Sequence, residues 1–433
     1  MRSLNFDPKR FPCFYGWIIM AVGTLGVLCS LPGQTIGVAA FTEPLLEVLG
    51  LSRTQMSLAY MIGTMCSAFL LTFAGMAYDR FGARRTAAAA CVGLGCVLVA
   101  LSRVDRIVGL VNRWIPVLSP AQTGFGVILL LFFLLRFSGQ GVLTMVSRNM
   151  MMKWFDRYRG WVTGITGLVI APIFALAPML LNQGVMRIGW RDTWWVLGCV
   201  CGFGFALVAL VFFRDHPEDY GLLPDGPFRN RVRKQMRPVP SVPPAFTLGE
   251  ALRTFRFWVF AIGISLSGFY ITGLSFHIAS VFETSGYSAA QGFAVFLPGA
   301  IIALVLRPFV GWSADRIPLK YILAYMMTAL CISGVGLMRL SQPLGIGMMV
   351  AGNGMAGSAF DPLMSVSWPN LFGRKHLGAI SGMAMSVTVF SSALGPLAYS
   401  LCYSYTGAYV LSGMGVVIIS AVFLVLALCT RDT

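Results

Sequence analysis

The sequence predicts an all-α membrane protein: twelve transmembrane helices in two pseudo-symmetric six-helix bundles. Three observations carry that prediction. Hydrophobic residues make up 57% of the 433-residue chain and charged residues only 11%, whereas a soluble domain covers its surface with about 25% charged residues. Apolar runs recur along the whole length, much longer than the ~10-residue strands of a membrane barrel. The chain also repeats itself: Gly75-Met76-Ala77-Tyr78-Asp79-Arg80 returns 236 residues later as Gly311-Trp312-Ser313-Ala314-Asp315-Arg316, each copy directly after an apolar run.

The repeat is longer than one motif. At the same offset Glu47 matches Glu283, Gly50 matches Gly286, Ser52 matches Ser288, Gln55 matches Gln291 and Gly63 matches Gly299. With Gly75, Asp79 and Arg80 this makes eight identities across 34 positions, which marks a duplicated half. Further on the offset becomes 218: Gly160, Gly164 and Pro178 match Gly378, Gly382 and Pro396. The first half therefore holds 18 extra residues, and the outer loop 103–122 is where they fit. Its arginines and Trp114 are compatible with a short interfacial helix.

The expected spans are 14–40, 54–77, 86–102, 124–150, 161–183, 191–213, 255–281, 289–312, 319–338, 343–369, 378–403 and 407–429. The first run is too long for the apolar core of a signal peptide and reads as a span. With the N-terminus inside, cytoplasmic segments hold 22 Lys+Arg and outer loops 7, with Arg136, Arg148 and Arg307 inside spans. That bias places both termini in the cytoplasm. It also accounts for the net charge of +16 without a nucleic acid. The domains are then 1–213, a cytoplasmic linker 214–254, and 255–433. Arg229, Arg231, Arg233, Lys234 and Arg237 beside Pro238, Pro240, Pro243 and Pro244 read as a flexible linker near the bilayer. The ten cysteines show no paired framework, and Cys199 and Cys201 have no second pair to complete a zinc pattern. They read as small apolar fillers.

Gly75 through Arg85, read as Gly-x-x-x-Asp-Arg-x-Gly-x-Arg-Arg, resembles the signature loop of the major facilitator superfamily between its second and third helices. Gly311 to Lys320 is similar to the weaker second copy, and Arg136-Phe-Ser-Gly-Gln-Gly141 to that superfamily's fourth-helix arginine motif. A narrower resemblance is to the monocarboxylate-porter and oxalate/formate-antiporter branch. It lies in Trp154-Phe155-Asp156-Arg157-Tyr158-Arg159-Gly160, in Arg214-Asp215-His216-Pro217-Glu218-Asp219-Tyr220-Gly221, and in Leu306-Arg307-Pro308. In that branch the eighth-helix arginine meets a substrate carboxylate, a role the resemblance implies for Arg307. Animal monocarboxylate porters often carry Asp four residues earlier, where this chain has Ala303. No lysine lies between Gly378 and Cys402, which argues against oxalate and for a monoanion.

A guanidinium inside a span must face water or a partner. Arg307 is the only charge in Phe293–Val310 and suits a carboxylate through two parallel hydrogen bonds. Snorkelling toward Asp315 is the structural alternative. Histidine is the side chain whose ordinary pKa lies nearest neutral pH, so His277 is a candidate for proton coupling and substrate contact, or a packing histidine. By helix rise it sits near the outer end of its span and Arg307 near the inner end of its own. Asp361 is the in-span acid away from helix ends; a proton carrier, a partner for the fourth-helix arginine and a gate are all open to it. Arg136 is expected in helix coordination and proton coupling. Tyr60, Gln140, Tyr270 and Asn353 are candidate neutral hydrogen-bonders of an anion, with helix packing as their alternative. Gly75, Asp79, Arg80, Gly82, Arg85, Gly311, Asp315 and Arg316 are expected to form a conformational latch at the cytoplasmic helix ends.

These readings combine as a monomeric secondary transporter of the cytoplasmic membrane that moves a small organic anion, a monocarboxylate by preference, with a proton. No cofactor or metal is expected, and no phosphate-cradling loop points to ATP. No catalytic constellation marks an enzyme. Two alternatives remain: an antiporter exporting a drug or cation, with Asp361 as its partner, and a membrane sensor without transport.

Overall fold

The computed structural model describes residues 8, 11–114, 116–117, 119–226 and 245–430; the basic proline-rich stretch 229–244 lies outside them. Among the described residues there is no strand. Ten helices are long and apolar enough to cross a membrane. One of these, Arg53–Ser102, holds two spans, because Gly82 inside it has φ 80° and turns the chain. A further 30-residue helix, Pro343–Phe372, completes twelve.

We number them α1 (Gly16–Gly33), α2 (53–81), α3 (83–102), α4 (Pro120–Trp154), α5 (Arg159–Ile188), α6 (Trp190–Phe212), α7 (Phe255–Glu283), α8 (Ala290–Ala314), α9 (Leu319–Met338), α10 (Pro343–Phe372), α11 (Leu377–Thr406) and α12 (Val410–Cys429). The first span differs from expectation. It stops at Cys29, makes a 3-10 turn over Leu31–Gly33 and resumes at Thr35–Ala39. Pro32 in that turn has no N–H for a helical bond, and Gln34 is extended with ψ 156°.

The duplicated residues do duplicated jobs. Gly50 ends the helix Thr42–Leu49 in the left-handed region at φ 61°, and Gly286 holds φ 86° after α7. Ser52 and Gln55 form a capping box at the start of α2, and Ser288 and Gln291 form the same box ahead of α8. Each satisfies two backbone donors that a helix start leaves open. Gly63 lets α2 approach the backbone of α4 at Phe133, and Gly299 lies beside Val350 and Asn353 of α10.

The chain divides into two compact units, Met1–Asp156 with Val169–Val239 and His376–Ser386, and Arg157–Leu168 with Pro240–Lys375 and Val387–Thr433. The first turns of α5 thus belong to the second unit and those of α11 to the first. In the first unit Trp194 stacks on Phe41 with centroids 3.8 Å apart, and Trp154 packs on Tyr15. In the second, Phe257, Trp368 and Phe372 form one aromatic cluster. The 18-residue insertion carries a helix, Val104–Trp114, where the second half passes from Met338 to Pro343 without one.

Candidate functional site

Arg307 lies on a face of α8 set by helical spacing. Phe293, Leu297, Ile301, Val305 and Phe309 form an exposed apolar stripe at every fourth position, the side a lipid-facing helix presents. Gly299, Ala303 and Arg307 lie off that stripe, with the same spacing. They meet α10, where Gly299 is within reach of Asn353 and Gly357 of Ala303. Asn353, Gly357 and Asp361 repeat the spacing on α10, so both helices present one seam to each other. At its end the Arg307 guanidinium pairs with Asp361, Nη1 to Oδ2 at 3.2 Å, with side chains 11% and 21% exposed. Arg307 also donates to the carbonyls of Gly167 and Gly357 at 3.4 Å, and its Nε has no acceptor. Gly167 gives the guanidinium room, since a Cβ there would strike the arginine stem.

At the repeat offsets, the positions equivalent to Arg307 and Asp361 are Leu71 and Leu143. The charge pair is therefore present in one half only.

The first unit holds its own buried guanidinium. Arg136 is 4% exposed and opens a π-helical turn of α4, Arg136–Leu143. It donates to Gly33 O at 3.2 Å and Thr35 Oγ1 at 3.4 Å, and lies over the Tyr60 ring at 5.2 Å. Tyr60 donates to Thr35 Oγ1 at 3.0 Å. The guanidinium thus sits at the break in α1 and takes a carbonyl released there. Among the described residues no carboxylate pairs with it, and its Nε has no acceptor. Gln140 lies half-buried on the same π-helical turn.

The two signature aspartates cap helices. Asp79 accepts from the Gly378 and Ala379 N–H groups at 2.8 Å each, at the start of α11 in the first unit. Asp315 accepts from Gly160 and Trp161 N–H at 2.6 and 2.8 Å, at the start of α5 in the second. A carboxylate is favoured at a helix N-terminus by the open donors and the dipole. Glycine is required on both sides: a Cβ at Gly75 would strike the Gly378 carbonyl, and one at Gly311 that of Gly160. The arginines do not share this work. Arg80 lies over its neighbour Phe81, Arg316 over Trp312, and Arg85 is exposed.

His277 and Tyr270 lie away from the Arg307 seam. Nε2 of His277 donates to the Pro396 carbonyl at 2.9 Å, and its ring lies among Tyr399 and Tyr409. Pro396 lacks an N–H and so frees the Ser392 carbonyl, which Thr272 takes at 2.7 Å. Thr272 and His277 together fasten α7 to α11 around the proline. Tyr270 is fully buried, its hydroxyl 2.7 Å from Ser333 Oγ.

Sequence reasoning missed the support under the first signature loop. Asp215 accepts from Ala83 N–H at 2.9 Å and Tyr78 OH at 3.2 Å, and pairs with Lys153 at 2.8 Å. Lys153 is buried and lies 4.4 Å over the Tyr78 ring. The Arg214-Asp215-His216-Pro217 segment was the available signal. Beside it, burial first and the Lys153 ammonium second push the His216 pKa below 6.5. Among the described residues no group of three His, Cys, Asp or Glu side chains is placed to hold a metal.

The chain is 27% identical over 207 residues to a probable sulfoacetate transporter, SauU, of Cupriavidus necator, covering 45% of this chain and 42% of that one. It is 25% identical over 276 residues to an uncharacterized 38 kDa protein of Thermoproteus tenax, covering 63% of each. It thus spans less than two thirds of the length of these relatives. Its fold matches the Escherichia coli fucose:proton symporter FucP, with a TM-score of 0.68 at 11% identity, over 97% of this chain and 100% of that one. The human organic anion transporter MFSD10 matches with a TM-score of 0.63 at 14% identity, over 94% and 99%. The proton:xylose symporter XylE matches with a TM-score of 0.64 at 17% identity, over 98% and 95%. The family profile of the Major Facilitator Superfamily fits residues 23–396, and the chain belongs to that superfamily of membrane transporters.

Proposed function

We propose that this transporter carries a small organic anion, in the first instance a monocarboxylate, together with a proton, by alternating access. The observation that carries this reading is the Arg307–Asp361 pair, placed off the lipid-facing stripe of α8 and absent from the equivalent positions of the first half. A guanidinium can bind a substrate carboxylate through two parallel N–H···O bonds. While Asp361 is ionised it competes for those donors. A proton on Asp361 removes its charge, and Arg307 then turns to the incoming anion. When both leave on the other side, the pair closes again. The acid that animal monocarboxylate porters often carry four residues before this arginine is Ala303 here; Asp361 of α10 reaches the same guanidinium from the facing helix.

Asn353, on the same seam, supplies a neutral donor to the substrate, while Tyr60 and Gln140 lie beside Arg136 within the first unit. Tyr270 and His277 serve packing in this reading, and the proton falls to Asp361. Arg136 fixes the broken α1 within the first unit. Asp79 and Asp315, with their glycines, form the latch: release of either carboxylate frees the first turn of a helix that continues into the other unit. The protein works as a monomer in the cytoplasmic membrane with both termini inside. An organic anion transporter, a probable sulfoacetate transporter and two proton symporters among its likenesses support transport of this kind.

The test is uptake of labelled lactate or pyruvate into proteoliposomes, with and without an inward proton gradient. Wild-type uptake is expected to rise with the gradient, Arg307→Ala to abolish it, and Asp361→Asn to leave exchange that no longer follows the gradient. Undiminished uptake by Arg307→Ala would remove the anchor. Export of lipophilic cations that fails in Asp361→Asn and survives in Arg307→Ala would favour a cation antiporter instead.

A further inference from the structure

We propose that the outer face of the helix Val104–Trp114 is a docking surface for anionic phospholipid headgroups. The helix is two-sided. Val104 is buried, Asn112 hydrogen-bonds to Thr123 of α4, and Asp105 pairs with Arg191 at 3.2 Å, which fixes the inner side to the first unit. The other side carries Arg106, Leu110, Arg113 and Trp114 at spacings of three and four, with Arg103 just before the helix and Val117 in the turn after it, all exposed. Trp114 is 86% and Val117 90% exposed, values that leave nearly the whole apolar surface without cover from the chain. Among the described residues no carboxylate pairs with these three guanidiniums.

The position says what covers the face. The segment lies between the last turn of α3 and the first of α4, two membrane-crossing helices, so it sits at the level where acyl chains meet headgroups. It lies at the end of α3 opposite the Gly82 turn. An indole among arginines matches that boundary: the ring enters the apolar side and the guanidiniums reach phosphate. Connectivity does not require the helix, since the second half joins the equivalent spans through residues 339–342. In the orientation proposed above, three arginines on an outer loop also oppose the usual charge bias. Negative headgroups supply a favourable term of their own, because each basic residue near an anionic surface adds attraction.

Hydroxyl-radical footprinting with mass spectrometry reads Trp114 residue by residue in the full chain. The protein is placed in nanodiscs of phosphatidylcholine alone or of phosphatidylcholine with phosphatidylglycerol at equal amounts. Trp114 is expected to oxidise at least about threefold more slowly in the anionic discs. The variant Arg103→Gln/Arg106→Gln/Arg113→Gln is expected to lose that difference. Equal and fast oxidation in both discs would leave the face to water or a soluble protein and overturn the proposal. Equal and strong protection in both would show apolar burial without headgroup selection and overturn it as well.

Discussion

The Arg307–Asp361 pair can be tested by giving the second half the residues of the first. Arg307→Leu and Asp361→Leu install the side chains found at the equivalent positions Leu71 and Leu143. Either single change removes one member of the ion pair and leaves the other charge in a low-dielectric seam. Such breaks cost about 3–5 kcal/mol when both groups are fully buried. Here the side chains retain 11% and 21% exposure, so about 2–3 kcal/mol is expected for each single variant. The double variant removes both desolvated charges and fills the space with carbon. A buried pair replaced by apolar residues is often neutral or stabilising, so its thermal unfolding should return to the wild-type temperature or above. Uptake, by contrast, should be absent in the two variants that lack Arg307, and Asp361→Leu should keep only exchange that does not follow the proton gradient. Thermal melts in detergent and uptake in proteoliposomes read the two quantities separately. A double variant as unstable as the singles would show that the pair holds α8 to α10. Wild-type uptake by the double variant would show that the pair has no part in transport.

Two further outcomes follow from the caps and from the loop beneath them. Asp79→Asn loses the charge and one of two acceptor oxygens at the start of α11; about 1–2 kcal/mol of local stability should go, seen as faster amide exchange at 378–382 and unchanged exchange at 160–164, with Asp315→Asn giving the reverse. His216 has its pKa lowered by burial and by Lys153, so the folded state takes up its proton less readily than the unfolded chain. Its contribution is complete above about pH 6.5 and is lost as pH falls below that value; melting temperatures from pH 8 to pH 5.5 should fall less steeply in His216→Gln than in wild type.

Much of the fold was legible because each signal was local. Apolar runs of span length become helices by the need to satisfy every backbone group in lipid. The repeated Ser-x-x-Gln boxes, the left-handed glycines and the Gly-x-x-x-Asp pairs each do a job set by a few neighbouring residues, which is why they survive in both halves. The break in α1 was present in Leu31-Pro32-Gly33 but was masked by the apolar residues on either side of it. The partner of Asp361 was not legible. It depends on how far α8 and α10 slide past each other, a register set by Gly299, Gly354 and Gly357 across the seam. Lys153 escaped notice for a similar reason: its counter-ion, Asp215, comes from the far end of α6.

The duplication marks the scaffold that the two halves share. Gly139 and Gly357 are equivalents, as are Gly63 and Gly299, and both pairs lie where helices approach closely. The buried charges obey no such rule. Arg136 corresponds to Gly354, where a side chain would meet the Gly299 carbonyl and the Ile302 side chain; the second half has no room for an arginine there. Arg307 and Asp361 correspond to leucines. Absence from the other copy does not by itself mark a site: Lys153, which braces the first signature loop through Asp215, corresponds to Leu371. Burying a guanidinium whose Nε has no acceptor is costly, and that cost is what the proposed anion contact at Arg307 would offset.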